Sequence, residues 1–275
     1  MRLSLCNEVL AGRPFAAQCA LAAELGYDGL EIAPFTLSDD PLTLNAAERR
    51  VIRRAVEEAG LAVTGLHWLL VAPRGLSLTD PDPATRRRTR EAIQALCELC
   101  AELGGRYLVH GSPAQRRLPD RDIHAAKGWA LEAFGVAARA AEKAGVTYCL
   151  EPLAPRETNF VNTVGEAVGI VEYIGSNAFK TMIDCSAAGL AESESVPALI
   201  ERWLPTGLIA HVQVNDPNRK GPGQGEMDFV PIIAALKSGG YAGDIGVEPF
   251  IYEPDGPGVA AHAIRYLRPI LQEAA

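Results

Sequence analysis

Short apolar segments alternate with longer amphipathic segments along the whole chain. The apolar segments predict eight β-strands, at Leu3–Cys6, Gly29–Ile32, Leu61–His67, Tyr107–His110, Val146–Glu151, Lys180–Asp184, Leu208–Val214 and Asp244–Glu248. The segments that follow them have the apolar spacing of helices, at Ala16–Leu25, Asn45–Ala59, Ala84–Leu103, Arg121–Ala144, Val164–Ile174, Val196–Trp203, Phe229–Lys237 and Val259–Leu271. Glycine directly follows several of these helical segments, which is a common signal for a helix end.

Strands that alternate with helices predict parallel βαβ units. Eight such units in 275 residues predict a closed (β/α)8 barrel of the α/β class, since that fold takes roughly 250 residues. No linker or low-complexity run divides the sequence, so we expect residues 1–275 to form one domain.

Composition narrows the function classes and the surroundings of the protein. The net charge of −8 argues against a nucleic-acid partner, because phosphate contacts need clustered Lys and Arg. The sequence has neither a signal peptide pattern nor an apolar run long enough for a membrane span, so we expect a cytoplasmic protein without a membrane partner. Of the six cysteines, only Cys97 and Cys100 form a close pair, and buried free thiols fit better than metal or redox chemistry.

Polar residues stand at the predicted carboxyl ends of the strands, where a (β/α)8 barrel builds its active site. They are Asn7, Glu31, His67, His110, Glu151, Asp184, Gln213 and Glu248. Three converging carboxylates need cations, and few Lys or Arg occur at these ends. Glu151, Asp184 and Glu248 therefore predict a bound divalent cation, Mg²⁺ or Mn²⁺, with structural ion pairs as the alternative.

The other polar residues leave two interpretations open. His67 and His110 are either substrate contacts or structural histidines, and Glu31 is either an ion-pair partner or a site residue. After strand five the loop carries Glu157. After strand seven a Gly- and Pro-rich loop carries Arg219, and this loop is either a surface turn or a lid that brings a cation to a polar substrate.

The segments that carry this chemistry resemble the xylose-isomerase-like barrel superfamily, and within it the ketose 3-epimerases and hydroxypyruvate isomerases. The similar segments are Gly26–Ile32, Glu151–Thr163, Met182–Asp184, His211–Val214, Gly221–Asp228 and Val247–Pro249. The run Glu-Pro-Leu followed by Arg-Glu-Thr, which begins at Glu151, is the most discriminating of them. The resemblance covers nearly the whole chain.

The resemblance implies one divalent cation, Mn²⁺ or Mg²⁺ with Co²⁺ as an alternative, bound by Glu151, Asp184, Gln213 and Glu248. It also implies that Glu157 and Arg219 contact the substrate, and we add His67, His110 and His211 as further substrate-binding candidates. Two positions depart from the epimerases. Gln213 stands where they usually have His and hydroxypyruvate isomerases have Gln, and Ala187 stands where epimerases often have a substrate-binding His.

The implied reaction is proton abstraction next to a carbonyl in a small keto sugar or hydroxy-keto acid. Glu151 and Glu248 would act as the catalytic acid–base pair on opposite faces of the reacting carbon, and the metal would stabilise the enediolate. A lyase or dehydratase of a keto-polyol is the main alternative. A DNA-repair endonuclease and a non-catalytic sugar-binding module fit less well, and a homo-oligomer is left open.

The spacing within strand seven separates two candidate ligands. His211 and Gln213 are two residues apart, so both point into the barrel, roughly 6–7 Å apart along the strand. Gln213 is nearer the mouth, and its amide oxygen suits a hard cation. We therefore predict that Gln213, and not His211, is the fourth ligand, with His211 lying deeper in the barrel.

Overall fold

A computed structural model describes residues 1–273 of the chain. Its eight parallel strands close into a barrel in the order of the sequence. The strands are β1 (Arg2–Cys6), β2 (Gly29–Ile32), β3 (Ala62–His67), β4 (Tyr107–His110), β5 (Thr147–Leu150), β6 (Phe179–Asp184), β7 (Ile209–Val214) and β8 (Asp244–Val247). The predicted (β/α)8 barrel is thus confirmed.

Within the described residues the α-helices surround this barrel. They are α1 (Phe15–Leu25), α2 (Ala46–Glu58), α3 (Pro83–Leu103), α4 (Ile123–Ala144), α5 (Val164–Ile174), α6 (Cys185–Ala191), α7 (Val196–Trp203), α8 (Phe229–Ser238) and α9 (Gly256–Glu273). The expectation of one domain extends to residues 274 and 275, which lie outside the described residues. No helix in residues 1–273 combines the length and the apolar character that crossing a membrane requires.

The helix ends explain why sequence patterns located the elements well. Helix α1 ends at Gly26, whose φ of 94° is left-handed, and the Gly26 N–H bonds to the carbonyls of Ala22 and Ala23. Gly145 closes α4 in the same way, with a φ of 71°. The sequence analysis did not predict α6, a short helix that begins immediately after Asp184 and is capped by that side chain.

The core has two layers separated by the barrel wall. The larger layer lies between strands and helices and contains residues such as Leu30, Leu66 and Phe134. A small cluster of Tyr107, Val109, Cys149 and Met182 fills the barrel interior. The six cysteines are buried and free, as the sequence analysis expected.

Candidate active site at the barrel mouth

Alternation of side chains along each strand decides which strand-end residues reach the barrel interior. The inward-facing polar residues at the mouth are Glu31, His67, Glu151, Asp184, Gln213 and Glu248, and side-chain contacts connect most of them. Asp184 and Gln213 are register partners on β6 and β7, so they lie at one level. Glu151 and Glu248 follow the last residues of β5 and β8.

Three carboxylates meet at the centre of this mouth. Oxygens of Glu151, Asp184 and Glu248 lie within 4.8 Å of one another, and the three residues are at most 5% exposed. The Lys and Arg ion pairs in residues 1–273 all involve other acids. Three acids so placed repel one another and resist ionisation unless a cation joins them.

The pKa values of these acids reflect that crowding. Burial, together with the charges of Glu248 and Asp184, raises the pKa of Glu151 well above its usual range. Burial raises the pKa of Asp184 to about 7 and that of Glu248 to about 8. In the absence of a bound cation the cluster therefore retains protons near neutral pH.

A backbone N–H and a neighbouring side chain orient the Asp184 carboxylate. Its Oδ1 accepts a hydrogen bond from the Ala187 N–H at 2.6 Å, and its Oδ2 accepts one from Asn215 Nδ2 at 2.7 Å. The Asn215 amide also donates to the Glu248 carbonyl at 3.1 Å, which ties β7 to β8. Asn215 was not among the site residues predicted from the sequence, although it directly follows β7, as Glu151 and Glu248 follow β5 and β8.

The amide nitrogen of Gln213 donates a hydrogen bond, whereas its amide oxygen has no hydrogen-bond partner within the described residues. Its Nε2 donates to Glu31 Oε1 at 2.9 Å, whereas its Oε1 is buried and has no partner within the described residues. Glu31 in turn accepts from the Tyr107 hydroxyl at 2.9 Å. Burial opposes ionisation of Glu31, but His211 and the other donors outweigh it and lower the Glu31 pKa. An ionised Glu31 only accepts, which fixes the amide with its oxygen free.

The structure leaves His67 with no free nitrogen for a substrate. Its Nδ1 lies 2.9 Å from Glu248 Oε1 and its Nε2 lies 2.9 Å from Glu8 Oε2, and the ring is buried. Burial alone would lower the pKa of His67, but its neighbours, Cys6 and Glu8 foremost, raise it well above the usual value. These contacts favour the structural interpretation of His67, which the sequence left open beside substrate binding.

Two other histidines expected to bind substrate are not brought to the cavity. Since Val109 faces the barrel interior, His110 faces outward, where its ring packs edge-on against Phe134 and its Nδ1 lies 2.6 Å from the Tyr148 hydroxyl. Burial lowers the pKa of His110 to about 3. His211 points inward but lies deeper than Gln213, stacked on Tyr107 with ring centroids 4.0 Å apart.

A cavity of about 160 Å³ opens above the carboxylates. Its lining consists of Trp68, Gly111, Ser112, Pro113, Glu151, Leu153, Glu157, Arg219, Glu248 and Phe250. Two of the expected substrate contacts, Glu157 and Arg219, are thus brought together with the two expected catalytic acids. A larger cleft of about 850 Å³ lies on the outer faces of α4 and α5, but it includes none of the strand-end residues.

Aromatic rings that the sequence analysis did not single out form one wall of the cavity. Trp68 packs edge-on against Phe35 and Phe250, with centroid distances of 5.5 and 5.9 Å. The Arg219 guanidinium lies over the Phe250 ring at 5.0 Å. The only signal in the sequence was position, because Trp68 directly follows His67 and Phe250 comes two residues after Glu248.

The buried Arg116 is another residue near the site that was not identified from the sequence. The Arg116 side chain is fully buried, and its Nη1 donates to the His110 carbonyl at 3.2 Å. Its charge acts on Glu151 and lowers the pKa of that acid, against the dominant effect of burial. Arg116 lies on a short 3-10 turn after β4, where sequence periodicity gives no sign of burial.

Comparisons with known proteins place this chain in a family. Residues 19–270 match the model of the xylose isomerase-like TIM barrel family. The chain therefore belongs to this family, which confirms the resemblance seen in the sequence.

Individual relatives agree with the family assignment. The chain is 28% identical to D-psicose 3-epimerase of Ruminiclostridium cellulolyticum, over 83% of this chain and 76% of the relative. It is 27% identical to 3-dehydro-D-guloside 4-epimerase of Escherichia coli, over 98% and 99%. It is 28% identical to a putative hydroxypyruvate isomerase of Streptomyces coelicolor, over 88% and 86%. With such relatives, the chain is an enzyme of the sugar isomerase and epimerase class.

Solved structures support the fold. The structure of 3-keto-D-glucoside 4-epimerase from E. coli superposes with a TM-score of 0.83 at 22% identity, and covers 98% of this chain and 99% of that one. The structure of an L-ribulose 3-epimerase gives a TM-score of 0.82 at 24% identity, with 99% and 95% covered. At this level of identity the likeness establishes the barrel and not the substrate.

Proposed function

We propose that this protein is a divalent-metal-dependent isomerase or epimerase of a small keto sugar or hydroxy-keto acid. The observation that carries the proposal is the set of three buried carboxylates, Glu151, Asp184 and Glu248, within 4.8 Å of one another at the mouth of the barrel. A buried cluster of acids that no Lys or Arg ion pair neutralises within residues 1–273 is costly unless a cation occupies it.

The side chains fit an oxygen-preferring cation such as Mn²⁺ or Mg²⁺. Gln213 Oε1 and Glu248 Oε2 are buried oxygens that lack partners within residues 1–273, and they complement Glu151 and Asp184. Carboxylate and amide oxygens are suitable ligands for hard cations. A cation held by these four residues would supply Lewis-acid stabilisation of negative charge on a substrate oxygen.

The chain's own acids would carry the proton transfers. Glu151 and Glu248 both line the cavity, directly after β5 and β8, so each can approach a bound substrate from its own side. One carboxylate would take the proton from the carbon next to the carbonyl, and the other would return a proton, which inverts or relocates the centre.

The remaining lining would hold the substrate. Glu157 can accept hydrogen bonds from substrate hydroxyls, and Arg219 can face an oxygen at the far end of the molecule. Trp68 and Phe250 present an aromatic wall that excludes water and packs against C–H groups. The relatives named for ketoses and for hydroxypyruvate are consistent with a small, polar, carbonyl-containing substrate.

Metal removal tests the metal dependence, and isotope exchange tests the proton chemistry. Protein stripped with a chelator should be inactive, and Mn²⁺, Mg²⁺ or Co²⁺ should restore turnover on a panel of ketoses and hydroxy-keto acids. In D₂O, NMR should detect deuterium at the carbon next to the carbonyl. Glu151→Gln and Glu248→Gln should each lower turnover by roughly 10²–10⁴-fold, whereas Glu172→Gln on the exposed face of α5 serves as the matched control.

Two results would contradict this function. One is full turnover by protein that elemental analysis shows to be free of metal, and the other is product formation without exchange under any condition. Mass spectrometry of the product separates the main alternative, because an isomerase conserves mass whereas a dehydratase removes water.

A further inference from the structure

A buried chain of three side chains connects β1, β3 and β8 behind the cavity. Glu8 lies in the turn after β1, His67 ends β3, and Glu248 follows β8. His67 contacts both acids at 2.9 Å, one with each ring nitrogen. The three residues are 4%, 0% and 5% exposed, so water does not compete for these contacts.

The contact with His67 engages one carboxylate oxygen of Glu248 and leaves the other free. Oε1 contacts His67, whereas Oε2 is buried without a partner in residues 1–273. Glu248 also belongs to the carboxylate cluster with Glu151 and Asp184. A glutamate side chain has several rotatable bonds, and a contact that holds one oxygen restricts the direction in which the other can point.

The second contact of His67 restricts the imidazole itself. With Glu8 at Nε2 and Glu248 at Nδ1, hydrogen bonds at both ends fix the plane of the ring and its rotation about the Cβ–Cγ bond. Glu8 does not line the cavity and so does not touch a substrate there. The hydrogen-bonded route from Glu8 to Glu248 therefore runs through His67.

We propose that Glu8 is a positioning residue that acts through His67 to hold the Glu248 carboxylate in its productive orientation. The inference rests on the proposed function, because it assigns Glu248 to the reaction site. Residues that orient a metal-binding side chain in this way typically affect metal affinity or activity by about 10–100-fold. Neither the comparisons nor the sequence pattern assigns a role to Glu8.

A second cation is the competing explanation for the same residues. Atoms of Cys6, Glu8, His67 and Glu248 lie within 4.8 Å of one another and could together bind an ion. Both nitrogens of His67 already lie at hydrogen-bond distance from carboxylates. The hydrogen-bonded series Glu8–His67–Glu248 engages both ring nitrogens of the histidine, so we favour it, and metal stoichiometry distinguishes the two explanations.

The test combines Mn²⁺ binding without substrate, steady-state kinetics and thermal unfolding. Glu8→Ala should lower Mn²⁺ affinity or kcat by about 10–100-fold with little change in KM. Glu8→Gln keeps an acceptor for His67 and should retain most activity, whereas Glu8→Asp shortens the side chain and should lose it. Glu24→Ala, on an exposed position of α1, is the matched control.

A double-mutant cycle tests whether Glu8 acts through His67. If it does, Glu8→Ala combined with His67→Gln should lower Mn²⁺ affinity and kcat no further than His67→Gln alone, because both substitutions interrupt the same series of contacts. Additive losses would overturn the proposal. So would two Mn²⁺ ions per wild-type chain with one of them lost in Glu8→Ala, because this would establish a second metal site.

The outcomes also separate this inference from the proposed function. If the wild type binds Mn²⁺ and is active while Glu8→Ala and Glu8→Asp behave like Glu24→Ala, only the role of Glu8 is overturned. If wild-type protein binds no divalent cation and is fully active, the proposed function fails and this inference fails with it.

Discussion

At the level of single residues, hydrogen bonds at the mouth of the barrel orient three of the four side chains expected at the metal, Asp184, Gln213 and Glu248. Asn215 and the Ala187 N–H hold Asp184, and Glu31 holds the amide of Gln213. Such hydrogen-bonded neighbours preorganise the side chains that they orient. Substitutions that keep the volume but change the hydrogen bonding are therefore the informative ones.

Gln213 gives the sharpest test of the ligand assignment. Gln213→Leu removes the free amide oxygen at similar volume and should weaken Mn²⁺ binding strongly. Gln213→His should keep metal binding and shift the preference toward Zn²⁺ or Co²⁺, because imidazole suits these softer ions. Titration calorimetry with each metal measures both effects. His211→Ala should leave metal bound, and a crystal structure with His211 on the metal and Gln213 turned away would refute the assignment.

Gly111 leaves the space that the Glu151 carboxylate occupies. A Cβ built at Gly111 would collide with Glu151 Oε2. Gly111→Ala should therefore displace the carboxylate and lower kcat, while the fold is retained. Gly128→Ala is the matched control, because a Cβ at this site in α4 meets nothing within 4 Å, and it should raise helix stability by up to about 1 kcal/mol. Unchanged kcat in Gly111→Ala would contradict the placement of Glu151.

At the scale of elements, the loop after β7 is attached to the loop after β8. The Arg219 carbonyl accepts hydrogen bonds from the N–H groups of Phe250 and Ile251, both at 2.9 Å. The Asp216 carboxylate accepts from the Met227 N–H at 2.9 Å, which closes the loop on itself. Arg219 has a left-handed φ of 71°, which this loop conformation imposes. These contacts favour a loop that is fixed at the rim of the barrel, here called a fixed rim, over the mobile lid that the sequence left open.

A fixed rim predicts a simple effect for Arg219. Arg219→Ala should raise KM, because a charged contact with the substrate is lost, while metal content remains unchanged. Lys220→Ala is the control on the same loop, since the Lys220 ammonium pairs with Glu253 at 2.6 Å and does not line the cavity. Loss of bound metal in Arg219→Ala would place this side chain in a different role.

At the scale of the whole molecule, the buried acids link stability to pH and to metal. Their folded-state pKa values are raised, to about 7 for Asp184 and about 8 for Glu248. Without metal, the folded state thus binds more protons than the unfolded chain, whose carboxyls titrate near pH 4 to 4.5. The stabilisation from these groups is complete below that range and is lost as pH rises toward 8.

A bound cation reverses this dependence, because it requires the ionised carboxylates. The increase in Tm on adding Mn²⁺ should therefore be larger at about pH 8 than at about pH 5.5. Differential scanning calorimetry at several pH values measures it. Asp184→Asn should flatten the pH dependence of the metal-free protein and reduce the gain from Mn²⁺. An equal gain at both pH values would show that these acids do not bind the metal.

The barrel could be predicted from the sequence, because strand and helix periodicity and the glycines that end helices are local features. The carboxylates could be located in the same way, since each ends or directly follows a buried strand. Helix α6 escaped prediction because its cap, Asp184, is also the last residue of a strand.

Which strand-end side chains meet depends on the closed barrel and could not be predicted from local sequence. His110 turned outward because its inward neighbour is Val109, and a shift of one residue changes the side of the sheet. The contact of His67 with Glu8 and Glu248 joins residues 59 and 181 positions apart, so no local pattern could indicate it. The aromatic wall of Trp68 and Phe250 likewise depends on loops from opposite parts of the chain. Local periodicity fixes elements, whereas contacts between distant residues arise only when the barrel closes.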